Sequence, residues 1–236
     1  MVKTYWDYLS QCPETFFTHR YGDELARQIA PFLPAAGKVL DYGCGPGNLT
    51  ERLLTTGLSI AGLDYSPSTR DTVNQRFKGR ENFLGAFDQE ELLGKHIKFD
   101  VIIVLEVIEH LYDEQLNELL SNVRALLAPG GTVIFTTPNE EDLEKKYLLC
   151  PVSGKLFHRW QHVRSWSKQS AASYLTSRNF NVKRVFTTDF GVTFHVRNQA
   201  HPLRTLWTSL RKTVKYKLKR GKKHPHLVII AGAPEP

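Results

Sequence analysis

The sequence predicts an α/β fold, with seven strands in a mostly parallel sheet, an antiparallel pair at one edge and helices on both faces. Two observations carry this expectation. From Lys38 onward short apolar runs alternate with helical patterns, and runs such as Val101-Ile102-Ile103-Val104-Leu105 are nearly continuous, as strands buried on both faces must be. The stretch Asp41-Tyr42-Gly43-Cys44-Gly45-Pro46-Gly47-Asn48 then joins the first run to the first helical pattern through a glycine-rich turn. Open α/β sheets bind ligands at the carboxyl ends of their strands, where this turn would lie.

In chain order, residues 3–33 form a helical preface, with Tyr5, Trp6, Tyr8, Leu9, Phe16, Phe17 and Tyr21 ahead of a stripe of Leu25, Ile29 and Phe32 that ends near Pro31 and Pro34. Most of these aromatics should pack on the core, and some can close over a ligand. Strands are expected at Lys38–Tyr42, Ser59–Asp64, Asn82–Phe87, Phe99–Leu105 and Thr132–Thr137, and helices near Leu49–Thr56, Pro67–Phe77, Glu114–Leu127 and Lys168–Arg178. Pro129-Gly130-Gly131 reads as a turn before the fifth strand. Val182–Thr187 and Leu227–Ala231 read as two more strands without an ordinary crossover helix between them, hence the antiparallel pair. The chain divides into a preface (1–35), a ligand-binding core (36–187), a basic amphipathic insertion (188–224) and a last strand with tail (225–236), all within one domain.

With 236 residues, 41% hydrophobic and 23% charged, the chain can bury the core such a domain needs. No apolar run reaches the roughly 18–20 residues of a membrane span, and the N-terminal residues have no signal-peptide core, so a cytoplasmic location is expected. Cys12, Cys44 and Cys150 are far apart and form no C-x-x-C pair; they read as reduced thiols. The net charge of +7 belongs to the tail, because residues 201–236 hold nine Lys/Arg against one acid. On a helix, Leu203, Leu206, Trp207, Leu210, Val214 and Leu218 form an apolar stripe beside Arg204, Arg211, Lys212, Lys215, Lys219 and Arg220. Segment 203–223 can therefore dock on an anionic membrane surface, which would place the protein peripherally at the membrane, or pack its stripe on the sheet edge. Nucleic acid fits less well, since stacking aromatics there are limited to Trp207 and Tyr216.

Glycines at every second position admit a ligand close to the backbone. The spacing is not that of the dinucleotide fingerprint G-x-G-x-x-G, whose last glycine would fall on Asn48. Asp41 would also repel a pyrophosphate while attracting a cationic amino group, and Asp64 at the end of the second strand can accept hydrogen bonds from ribose hydroxyls. Together the D-x-G-C-G-x-G cradle, Leu63-Asp64-Tyr65-Ser66, Phe99-Asp100-Val101-Ile102 and Leu127-Ala128-Pro129-Gly130-Gly131 resemble the class I S-adenosylmethionine-dependent methyltransferases, a Rossmann-like family, over about residues 36–187. The resemblance implies that Asp41 and the turn residues Gly43, Cys44, Gly45, Gly47 and Asn48 hold the methionine part of S-adenosyl-L-methionine. It also implies that Asp64 binds the ribose, Tyr65 packs near the adenine and Asp88 meets the adenine amine, with Leu105 beside them at the end of the fourth strand.

Methyl transfer from a sulfonium needs an aligned acceptor and, for a hydroxyl, help in removing a proton. Glu106, Glu109 and His110 follow the fourth strand at i, i+3 and i+4, so on a helix they would share one side. Such a face can hold a divalent ion such as Mg²⁺ or Mn²⁺, with His162 completing the set and His158 in reserve. His110 can equally act as a metal-free base or orienting group, or simply pack. The pattern E-x-x-E-H followed by H-x-x-x-W-S resembles the ubiquinone-pathway O-methyltransferases and the small-RNA 3′-end 2′-O-methyltransferases, for which the implied set is Glu106, Glu109, His110 and His162. His19, His96, His195 and His201 have no comparable neighbours, and Cys150-Pro151 lacks the second cysteine of a zinc knuckle. The resulting expectation is an S-adenosylmethionine-dependent methyltransferase of a small, hydrophobic acceptor, with oxygen as the atom methylated. Two alternatives stand beside it: metal-dependent 2′-O-methylation of an RNA 3′ end, and a non-catalytic cofactor-binding partner protein.

Overall fold

The computed structural model describes residues 3–9, 12–191 and 224–233. The basic segment 203–223 and the histidines at 195 and 201 lie outside them. Seven strands form one sheet: β1 (Lys38–Tyr42), β2 (Ser59–Leu63), β3 (Phe83–Phe87), β4 (Phe99–Leu105), β5 (Leu127–Pro138), β8 (Asn181–Thr188) and β9 (His226–Gly232), in the order β3-β2-β1-β4-β5-β9-β8. The first five are parallel, while β9 runs antiparallel between β5 and β8. Composition explains the placement of the last pair. Leu227–Ala231 is apolar at every position and entirely buried, as an interior strand must be, whereas β8 mixes Lys183 and Arg184 with half-buried residues and takes the edge.

Helices cover both faces. On one, α6 (Asp113–Leu126) buries Leu116, Leu119, Leu120, Val123 and Leu126 at helical spacing, and α7 (Lys168–Thr176) buries Ala171 and Leu175; both pack with Leu40, Ile102, Val133 and Phe135. On the other, Leu25 and Ile29 of α2 (Phe17–Ile29), Leu49 and Leu53 of α3 (Asn48–Leu53) and Val73 of α4 (Pro67–Arg76) pack on Val39, Ile60, Ile103 and Ile134. Phe135 is fully buried at the centre of β5 and meets Phe180 edge to face. Phe135→Ala is expected to cost about 3–5 kcal/mol of unfolding free energy, read as a lower denaturant midpoint at an unchanged slope.

One local expectation changes. Pro129-Gly130-Gly131 is not a turn ahead of β5 but an irregularity within it: β4 advances from Phe99 to Val101 while β5 advances from Leu127 to Thr132. Gly130, at φ +73°, supplies the backbone freedom for the looped-out residues. Two elements have no counterpart in the sequence reading, namely the short helix α5 (Gln89–Gly94), capped by Asp88, and a hairpin of β6 (Tyr147–Leu149) with β7 (Leu156–His158). Finally, the preface begins with a helix of its own, α1 (Lys3–Leu9).

Candidate active site

The strand order reverses between β1 and β4, so the loops after these strands diverge to opposite faces and open a crevice. In the loop after β1, Gly43, Gly45 and Gly47 have φ of +80°, +51° and +78°. Added Cβ atoms at Gly43 and Gly47 would lie 2.8 Å from Val107 Cγ2 and 2.7 Å from Phe77 Cε2. Here the glycines are required by both conformation and space.

The backbone N–H groups of this turn are already engaged within the protein. Gly43 and Cys44 donate to the Leu63 carbonyl, Gly45 donates to Asp64 Oδ2 at 3.0 Å and Gly47 to the Cys44 carbonyl. None of these four is left to hold a pyrophosphate, which strengthens the objection to a dinucleotide. The Cys44 side chain faces inward beneath Gly62, and burial raises its thiol pKa well above the ordinary value. It fills space under the turn and offers a ligand no thiolate.

What the turn does present is acid. Asp41 is buried and accepts the Thr50 hydroxyl at 2.7 Å; burial, partly offset by Thr50 and reinforced by nearby Asp64, pushes its pKa up to about 6. Asp64 is also buried and accepts N–H groups from Gly45 and from Ser66, thereby tying the two turns together. Two buried carboxylates this close favour a cationic ligand, which relieves both at once. Tyr65 follows, 43% exposed. Asn48 is buried at the start of α3, with its amide toward Thr18, and Leu105 is buried at the end of β4. Asp88 uses Oδ1 to cap α5 and holds Arg70 with Oδ2 at 3.4 Å, so it stands at the end of β3 chiefly as a helix cap.

The second half of the site differs from the expected helical face. Glu106 has φ +50°, and only the single turn Ile108–His110 is helical, of the tight 3-10 kind. The left-handed residue breaks the i, i+3, i+4 relation of a regular helix. Glu106 Oε1 accepts the Thr136 hydroxyl at 2.8 Å and lies 3.6 Å from His226 Nδ1. Glu109, His110 and His162 do converge, with one ligand atom from each within 4.8 Å of the others; Glu106 is not part of that group. Of the four expected ligands, the structure brings three together.

Protonation sharpens this cluster. A backbone carbonyl only accepts, so the 3.3 Å contact between His110 Nδ1 and the Gln161 carbonyl places the ring proton on Nδ1. The Nε2 lone pair is left facing Glu109 Oε1 at 3.9 Å. Burial, and next His162, lower the His110 pKa to about 3, while burial and then Glu106 raise that of Glu109 well above the carboxylate range. Glu109 Oε2 accepts the Thr137 hydroxyl at 3.1 Å, but Oε1 is buried without a hydrogen-bond partner. With its pKa raised, Glu109 holds a proton, so the buried Oε1 and the His110 Nε2 lone pair have one proton between them, the place a cation would take. On this test the three residues fit a divalent ion and Glu106 does not.

Two of the preface aromatics reach the cluster, whereas Glu141 and the Gln161 carbonyl were not anticipated from the sequence. Trp6 packs edge-on against the His110 ring with centroids 4.7 Å apart, and Tyr5 donates to the Arg159 carbonyl, so the preface roofs the cluster. Glu141 meets both His162 and His158. The visible hint was that Glu141 lies just past Pro138-Asn139 at the carboxyl end of β5; Gln161 acts through its backbone and left no side-chain signal. Asn139 itself ties the His224 carbonyl and pairs with Trp166, a structural role. Among the described residues no helix is long and apolar enough to cross a membrane.

A family model described as a methyltransferase domain matches residues 14–185. The ubiquinone biosynthesis O-methyltransferase of Cereibacter sphaeroides (strain KD131) is 30% identical over 168 residues, which cover 68% of this chain and 65% of that protein. The protein of the same name from Coxiella burnetii (strain Dugway 5J108-111) is 36% identical over 103 residues, 43% of each chain. The chain thus spans about two-thirds of the length of the first of these relatives. Among solved structures, the glycopeptide N-methyltransferase MtfA aligns over 93% of this chain and 92% of its own with a TM-score of 0.63 and 15% identity. The 1,6-didemethyltoxoflavin-N1-methyltransferase of Burkholderia thailandensis aligns over 98% and 86% with 0.64 and 17%. At such identities the structural likeness establishes the fold.

Proposed function

Since the chain belongs to the class I S-adenosylmethionine-dependent methyltransferases, we propose that it transfers a methyl group from S-adenosylmethionine to a hydroxyl of a small hydrophobic acceptor. The observation that carries this is the shared wall between the two halves of the site: Val107, flanked by Glu106 and Ile108, packs where a Gly43 Cβ would stand. A ligand in the glycine cradle is then a neighbour of Glu109 and His110. The curated relatives with O-methyltransferase in their names support oxygen as the target.

S-adenosylmethionine supplies the methyl group from a sulfonium. The chain positions it: Asp41 receives the ammonium of the methionine part, the glycine turn leaves room for its backbone, and Asp64 and Tyr65 stand at the end of β2 for ribose and adenine. A divalent cation held by Glu109, His110 and His162 would lower the pKa of the acceptor hydroxyl. Trp6 above His110 excludes water and gives an apolar acceptor a flat surface.

Titration calorimetry with S-adenosylhomocysteine, followed by transfer of labelled methyl to a panel of catechols and phenols with and without Mn²⁺, tests the reading. Binding together with phenolic methylation is expected. Folded protein that binds no S-adenosylhomocysteine would overturn the cofactor assignment, and labelling confined to the 3′-terminal ribose of a short RNA would overturn the acceptor class.

A further inference from the structure

The loop that delivers His162 is held by an unusual set of bonds. His158 Nδ1 accepts two backbone N–H groups, from His162 at 3.0 Å and from Trp160 at 3.3 Å. The His158 proton must then sit on Nε2, which lies 3.8 Å from Glu141 Oε1 and has no hydrogen-bond partner. The other oxygen, Oε2, is hydrogen-bonded to His162 Nδ1. The rings of His158 and His162 stack with centroids 4.7 Å apart, and the Glu141 carboxylate spans them, one oxygen toward each. All three side chains are largely buried, from 2% exposed for His158 to 13% for Glu141.

Glu141, His158 and His162 are close enough to resemble a second metal site. The bonding argues against it. A neutral imidazole that accepts N–H bonds at Nδ1 carries hydrogen on Nε2 and has no lone pair left for a metal. His162 is the opposite case: with Nδ1–H given to Glu141, its free lone pair is on Nε2. The ring also packs against His110 at 4.7 Å, and Val163 N–H is bonded to the Glu109 carbonyl, which brings the loop against the Glu109–His110 turn. Glu140 and Gln161, the residues immediately before Glu141 and His162, both adopt left-handed backbone, at φ +48° and +60°. Such conformations persist only where the surroundings impose them.

We propose that Glu141 is the positioning residue of the site, and that His158, with its protonation fixed by the backbone, fixes the His162 loop by accepting its N–H groups and stacking on the His162 ring. Glu141 sets His162 as the Nδ1–H tautomer and presents Nε2 to Glu109 and His110. A carboxylate behind a histidine in this way fixes its tautomer and locks its orientation. The proposal rests on the reading of His162 as a donor to the acceptor side of the site, and its first test needs neither metal nor turnover.

Imidazole ¹⁵N–¹H correlation spectra of the full chain should show His162 protonated at Nδ1 and His158 at Nε2, and Glu141→Ala should move His162 toward the Nε2–H tautomer. Titration with Mn²⁺ alone should give one ion per chain in the wild type, weakened about 10–100-fold in Glu141→Ala. Glu141→Gln, whose amide oxygen still accepts from Nδ1–H, should recover part of that loss. S-adenosylhomocysteine binding, unchanged in both variants, reports that they are folded. A wild-type His162 protonated at Nε2, or two Mn²⁺ ions bound per chain, would overturn the proposal. Wild-type protein that takes up no Mn²⁺ while His162 keeps its Nδ1 proton would overturn the metal reading and sustain the positioning role of Glu141.

Discussion

Glu109→Gln is expected to reduce methyl transfer by about 10²–10⁴-fold while leaving S-adenosylhomocysteine binding unchanged. The substitution keeps shape and one hydrogen bond, since the amide oxygen can still accept the Thr137 hydroxyl that Glu109 Oε2 now receives. Its NH₂ group would then face the His110 Nε2 lone pair, 3.9 Å away in the native arrangement, and donate to it. That contact closes the gap a cation needs, and it removes a buried titratable group. The melting temperature should therefore not fall, which separates loss of chemistry from loss of fold. Single-turnover assays with calorimetry on the same samples check it; a variant that keeps wild-type turnover would remove Glu109 from the reaction.

Cofactor affinity should also fall as the pH drops below about 6, by about tenfold per unit, and Asp41→Asn should bind weakly with no such dependence. The sign follows from Asp41, whose pKa is raised to about 6 in the folded protein, first by burial. Folded protein holds this proton more tightly than the unfolded chain does, so Asp41 lowers stability as pH rises from about 4 to 6 and the burden persists above that. A bound ammonium favours the carboxylate and draws the pKa down. Above pH 6 the ammonium meets a charge already present; below it, binding must expel a proton. Calorimetry in buffers of different ionisation enthalpy should register that proton at pH 5 and lose it in Asp41→Asn. An affinity flat from pH 5 to 8 would place the ammonium elsewhere.

Much of this site was legible because its chemistry is written locally. Asp41, Gly43, Gly45 and Gly47 lie within seven residues, and the constraints on the three glycines are backbone constraints that glycine meets most readily. Glu109 and His110 are adjacent in sequence and could hardly be parted. The helical face expected to be shared by Glu106, Glu109 and His110 is absent for the complementary reason: one residue at φ +50° directs the Glu106 side chain to Thr136 and His226. Glu141 went unnoticed because its partners lie 17 and 21 residues further along the chain, and no periodicity marks such a contact. His158, held in reserve as a ligand, is used differently: its Nδ1 accepts two N–H groups, which no composition could reveal.

By itself the sequence determined the mostly parallel sheet and the place of the glycine turn at the end of its first strand. Continuous apolar runs can only be buried on both faces, and spaced glycines with a strand-end acid leave few other readings. The tertiary structure decided which acids and histidines face one another and which nitrogen of each ring carries the proton. Those facts depend on where loops from β1, β4 and β5 meet, and on single backbone torsions whose effect on a side chain's direction is large and whose trace in the sequence is slight.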